Sequence, residues 1–378
     1  MLNLERLSCE FSRQAAISSP SRREGAIAAY LADRFTALEG AVEWDDTAAA
    51  IGGEAGNLIV RFAATGREAA PLMLSVHMDT VEPCTNVRPQ LCDGIFTSAG
   101  TTILGSDDKS GIAEIIEALE ILREEKIPHG PLEVVVTVCE EVGLLGAKHF
   151  DTSRVSARRA IALDTSGIDK LILAAPAANK INVTIIGQEA HAGIAPESGI
   201  SAIEIAARAI SQMNLGRIDF ETTANIGTIQ GGIATNIVPR QVELKGEARS
   251  HDAAKLAAQT GQMVAAVEAA VSAAARTIDG VLIRPEAHCE VIAEYPCMSV
   301  PADSPWVQGV VAAAARLGQR LELLPGGGGS DANIFNAGGI ETVILATGMT
   351  DVHTVNESVS LADMGRVAEL LVEVIRSA

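Results

Sequence analysis

The sequence predicts an α/β fold: a mostly parallel sheet flanked by helices, with a smaller α+β domain inserted into it. Three observations carry that expectation. Between residues 22 and 163, short and largely apolar runs of strand length alternate with segments of helical periodicity, as strands buried on both faces do. From residue 177 the runs alternate apolar and polar residues, the pattern of a sheet that buries one face. After residue 299 the first texture returns. With 378 residues and 48% apolar content the chain can bury a sizeable core, and its length favours two domains over one. The expected boundaries are 1–176 with 299–378 for the larger domain and 177–298 for the insertion.

The elements follow in order. Residues 22–38 have helical apolar spacing, and 57–62 and 71–76 are apolar runs of strand length. Residues 109–125 repeat apolar positions at helical spacing, 132–139 is a Val-rich strand, and 159–163 is another short apolar run. Strand, helix, strand in this order argues a parallel sheet. In the insertion, 180–187 alternates, 201–213 is an amphipathic helix, 222–229 and 241–248 read as strands, 253–276 as a long Ala-rich helix and 286–295 as a further strand. A helix over 304–317, a strand over 342–347 and a helix over 361–375 close the larger domain.

Composition narrows the function. A net charge of −19, from 48 acidic and 29 basic residues, disfavours a phosphate-backbone partner, and no basic run interleaved with aromatics is present. No nucleic acid is expected. The six cysteines form no Cys-x-x-Cys pair, as in reduced cytosolic proteins. No apolar run is long enough to span a bilayer, and residues 1–11 carry charges within their apolar pattern, so a cytoplasmic protein without a membrane partner is expected.

The chemistry concentrates where predicted strands end. Glu140 and Glu141 close the 132–139 run, and two carboxylates there are costly unless something cationic or reactive requires them. His77 and Asp79, two apart at a strand end, can share a face, so that the carboxylate holds the imidazole in one tautomer while the other nitrogen binds metal. Read alone, they are equally an ordinary polar loop start. Asp107 and Asp108 precede a helix and would also serve as its cap. Asp164 and His353 are individually weak. Yet His77, Glu140, Glu141 and Asp164 fall at the carboxyl ends of three strands of an α/β sheet, where ligands collect. Two imidazoles and several carboxylates suit a pair of zinc-like ions. The Gly326–Gly329 run with Ser330 lacks the lysine of a phosphate-binding loop and reads as a close backbone approach to substrate or metal, which makes Gly329 and Ser330 candidate substrate residues. Cys139 reads as an inert buried thiol.

Taken together, His77-Met78-Asp79-Thr80, Gly105-Ser106-Asp107-Asp108-Lys109, Glu140-Glu141-Val142-Gly143, Asp164, Gly329-Ser330-Asp331 and His353 resemble the dinuclear zinc metallopeptidase family that includes peptidase T, glutamate carboxypeptidase, acetylornithine deacetylase and the aminoacylases. Glu189-Ala190-His191-Ala192-Gly193, Gly231-Gly232 with Asn236-Ile237-Val238-Pro239, and Gly246-Glu247-Ala248-Arg249-Ser250 make the likeness greatest to its peptidase T-like members. The resemblance implies two divalent ions, zinc with cobalt or manganese as alternatives. His77 and Asp164 would hold one, Glu141 and His353 the other, and Asp107 would bridge them across a cis peptide to Asp108. It implies that Asp79 orients His77, that Glu140 is the general base, and that His191, Asn236 and Arg249 bind substrate from a lid domain that also forms a homodimer. The expected reaction is exopeptidase hydrolysis of small peptides by a two-metal-activated water. The alternatives are an N-acyl amino acid deacylase with the same machinery, or a catalytically silent binding protein.

Overall fold

The computed structural model describes all 378 residues and divides into two compact units, Met1–Ala175 with Met298–Ala378, and Pro176–Cys297. The first unit is built on a nine-stranded sheet. Its four central strands, Leu132–Thr137, Leu72–His77, Arg159–Thr165 and Glu341–Ala346, run parallel to one another in that order. Antiparallel neighbours flank them, Leu58–Phe62 on one side and Lys170–Ala175 on the other. Alternate residues of each strand feed opposite faces. Leu72, Leu74, Val134, Val136, Ile161 and Val343 pack with Ile27, Ile115, Val310 and Leu371 of four long helices, whereas Met73, Val135 and Ala160 pack with Ala147, Phe150 and Phe335 on the other side. Burial on both faces is why these strands read as unbroken apolar runs.

The second unit contains a five-stranded antiparallel sheet. Ile181, Val183, Ile185, Val242 and Leu244 face the helices Ala202–Gln212 and Ala253–Ala273. The intervening strand residues stay partly or fully exposed, which produces the alternation seen in the sequence.

Several elements lie outside the sequence expectation. Leu4–Ala16 is a helix whose buried face includes Glu10 and Gln14 as well as Leu7 and Phe11. Glu10 is held there by Arg34 at 2.7 Å, so an ion pair interrupts the apolar periodicity. A small four-stranded sheet of Met349–Thr350, Ser358–Ser360, Ile95–Ser98 and Pro89–Cys92 also goes unannounced, because its strands are short and mostly solvent-facing. It has a consequence for the site: residues 351–357 become the loop of a hairpin.

Candidate metal centre

Three of the four parallel strands deliver site residues at or just beyond their carboxyl ends. His77 is the last residue of its strand, and its ring is buried with 2% exposure. Its Nδ1 lies 3.0 Å from the Asp79 backbone carbonyl, and since a carbonyl can only accept, Nδ1 carries the proton. Nε2 then faces Asp107 Oδ1 at 3.1 Å and Asp164 Oδ1 at 3.8 Å. His353, at the left-handed φ of 63° in the hairpin loop, brings its Nε2 to 3.2 Å from Asp107 Oδ2 and 3.0 Å from Glu141 Oε1. Asp107 therefore presents one oxygen to each imidazole. The donor atoms of His77, Asp107 and Glu141 all lie within 4.8 Å of one another, but the pairwise contacts sort the residues into two trios that share Asp107.

The local backbone makes this convergence possible. Gly105 adopts φ 76°, the peptide between Asp107 and Asp108 is cis as the resemblance implies, and regular helix begins after Asp108. Glu357, which no sequence motif singled out, is the buried anchor of this loop. It accepts from Leu104 N and Gly105 N at 2.8 Å each, from Ser106 Oγ at 2.6 Å and from Asp107 N at 3.1 Å. Because Glu357 sits four residues after His353, one carboxylate couples the positions of both ligand segments. Glu357→Ala is expected to lower stability by about 3 kcal/mol or more, since it strands buried backbone donors. The denaturation midpoint reads this, and an unchanged midpoint would mean that something else holds the loop.

Asp79 does more than orient a ring. Its carboxylate is 3.5 Å from His77 Nδ1, farther than its own carbonyl, while Oδ1 accepts from Glu140 N at 2.9 Å and Oδ2 from Glu141 N at 3.2 Å and Ser21 Oγ at 2.7 Å. It thus fixes the turn that aims both glutamates. Cys139, at φ 54°, completes that turn by donating its N–H and thiol to Glu24 Oε1, both at 3.1 Å. Burial pushes the thiol upward, away from thiolate chemistry. Ser330 is buried and caps the helix Asp331–Ala337. Gly326–Gly329 line a cleft of about 190 Å³ together with Asp107 and Asp164.

The electrostatics call for cations. Asp79, Asp107, Glu140, Glu141 and Asp164 converge on two imidazoles. Burial and then the neighbouring carboxylates push Asp164 up to about 8. Glu140 is driven well above its usual range, first by burial and then by Asp164, and burial also raises Glu141. Burial opposes charge on His77, but the bonds to Asp107 and Asp79 outweigh it and raise the ring well above its ordinary value. Hydrogen bonds to Asp107 and Glu141 lift His353 to about 10. Each Nε2 thus meets carboxylate oxygens with a positive charge required between them. Divalent ions fit that requirement, and the nitrogen and oxygen donors suit zinc, cobalt or manganese.

In the second unit, His191 lies in a short strand paired with Ile237–Val238, and Ala192 N donates to the Asn236 carbonyl at 2.9 Å, so those two segments adjoin. The exposed His191 ring accepts at Nδ1 from Gly193 N and Ile194 N, both at 3.2 Å, which leaves Nε2–H as the outward donor. Arg249, paired with Glu247 at 3.0 Å, is not brought to them. It stands opposite Ala178, whereas His191 follows the Ile186 end of the same strand. Eight residues of strand at about 3.3 Å each separate the two ends by roughly 26 Å.

Residues 73–377 match the model of peptidase family M20/M25/M40. The protein YqjE of Bacillus subtilis is 43% identical over the full length of both chains. Among solved structures, the aminopeptidase PepT of Bacillus cereus is 42% identical, with a TM-score of 0.89 over 100% of this chain and 99% of its own. A tripeptidase of Staphylococcus aureus is 38% identical, with a TM-score of 0.93 over 100% of this chain and 98% of its own.

Proposed function

Since the chain belongs to peptidase family M20/M25/M40, we propose that it is a metal-dependent exopeptidase that hydrolyses an amide bond of small peptides. The observation that carries this reading is the pair of trios around Asp107, with the carboxylate of Glu140 near enough to Asp164 and His77 to feel their charges. His77 and Asp164 would hold one cation, Glu141 and His353 the other, and Asp107 both. When bound, such ions supply Lewis-acid chemistry, polarising a carbonyl and lowering the pKa of water. Glu140 takes the proton of the attacking water and passes it to the leaving amine. Burial, which raises its proton affinity, suits it to both tasks.

His191 Nε2–H is the donor proposed to meet the developing oxyanion. Arg249 and Asn236 would bind the substrate carboxylate. Because Arg249 pairs at one end of the strand Ala177–Ile186 and the His191 segment follows its other end, a single small peptide is not expected to touch both from the same copy. That separation supports a homodimer in which each site takes one of them from a partner. No helix is long and apolar enough to cross a membrane, and all six cysteines are free, which supports a cytoplasmic location.

The test is a panel of di- and tripeptides beside N-acyl amino acids, each with added zinc, cobalt or manganese. Peptides are expected to be cleaved, turnover to vanish with a chelator, and activity to return with metal. The relatives described as an aminopeptidase and a tripeptidase favour this over deacylation. Faster hydrolysis of N-acyl amino acids than of any peptide would overturn it.

A further inference from the structure

At the amino end of the Arg159–Thr165 strand, five residues before Asp164 and so roughly 17 Å from it along the strand, the first unit carries a second cavity, of about 340 Å³. Its lining combines Arg158, Arg159 and Glu341 with the apolar surfaces of Pro71, Pro305 and Trp306. Neither arginine has a carboxylate partner. Arg158 Nη1 donates to the Val155 and Ala157 carbonyls at 3.2 and 2.8 Å, and Arg159 Nη2 to the Ala70 carbonyl at 3.3 Å. The Arg159 guanidinium lies 5.3 Å from the centre of the Trp306 ring, and its Nε is buried without any acceptor. Burial, and then Arg67 nearby, lowers its proton affinity, the sign of a cation that lacks a counter-ion.

Glu341 makes the arrangement unusual. It is the register partner of Arg159 on the adjacent parallel strand, yet the two side chains form no ion pair. In a chain of net charge −19, a guanidinium beside an available carboxylate would ordinarily pair with it. Here both charges line the cavity separately, over an apolar floor.

We infer that this cavity binds a free α-amino acid as its zwitterion, the carboxylate on Arg159 and Arg158, the ammonium on Glu341, and an apolar side chain against Trp306 and the two prolines. Glu341 disfavours inorganic polyanions, and the apolar floor disfavours ligands without a side chain. The site is independent of the metal centre and does not rest on the reaction proposed there.

The experiment uses the metal-loaded protein in a Trp44→Phe background, which leaves Trp306 as the sole indole. Titration with L-leucine is expected to change the indole emission saturably, sodium acetate to bind far more weakly, and sodium phosphate not to compete. Arg159→Gln is expected to weaken leucine binding about tenfold or more, through loss of a charged hydrogen bond, with a retained cooperative unfolding transition as the check on folding. Glu341→Gln should weaken leucine but leave acetate unchanged, and decides the matter if Arg159→Gln does not fold. No saturable response to leucine, equal or tighter binding of phosphate, or a leucine affinity unaffected by either substitution would overturn the assignment.

Discussion

Glu140→Gln is expected to reduce peptide hydrolysis by about 10²–10⁴-fold, the range over which a positioned general base contributes, while leaving metal content near that of the unsubstituted protein. The amide preserves the shape of the side chain and its place in the turn fixed by Asp79, but it cannot take up a proton. The neighbouring Glu141 contacts His353 at 3.0 Å and would be the ligand of the pair, so metal content separates the two roles. Single-turnover rates with elemental analysis of the same sample provide the measurement. If the variant kept most of its turnover, or lost its metal instead, the two glutamates would have to exchange roles. The same variant tests whether a partner copy supplies the His191 donor. Mixed with His191→Ala, itself expected to be inactive, it should recover activity in heterodimers, because one site then combines an intact base with an intact donor. Full activity of His191→Ala alone would remove that histidine from catalysis.

Asp107→Asn is expected to have the wider effect on metal. Its two oxygens stand 3.1 and 3.2 Å from the two ring nitrogens, so one side chain serves both trios. Replacing one oxygen with an amide nitrogen removes a negative charge and leaves a donor facing a cation. Metal bound per chain should fall from near two to one or fewer, and turnover by about 10³-fold or more, as expected when a shared charge stabilises the transition state. His353→Ala, which touches one trio, should cost one ion at most. Equal metal loss in the two variants, or two ions retained in Asp107→Asn, would show that Asp107 does not bridge.

Much of this site is legible in the sequence because strand ends are. A parallel strand buried on both faces is an apolar run, and the polar residue that ends it must lie at the edge of the sheet, so His77, Glu140, Glu141 and Asp164 can be placed before any coordinates exist. His353 has no such signal. The strands that form its hairpin are two and three residues long, too short for a periodicity to register. Glu357 was missed for a related reason: its partners are the backbone of residues 104–107 and one serine, and backbone acceptor needs leave no mark in side-chain patterning. The second task of Asp79 is silent for the same reason: a sequence shows that it stands two residues from His77 and not that its carboxylate also receives the Glu140 and Glu141 amides.

The sequence by itself determined the α/β class, the change of texture at the insertion and the chemical character of the site, since all three follow from periodicity and from the types of residue at strand ends. Tertiary structure alone decided how Asp107 divides its oxygens between the two imidazoles, where the Glu341 and Arg159 charges stand apart, and that Arg249 pairs at the end of the strand Ala177–Ile186 away from the His191 segment. Periodicity is a one-dimensional property set by which face of an element is buried. The distance between two charged atoms far apart in the chain depends on strand order, register and loop closure, which become definite only when the whole core packs.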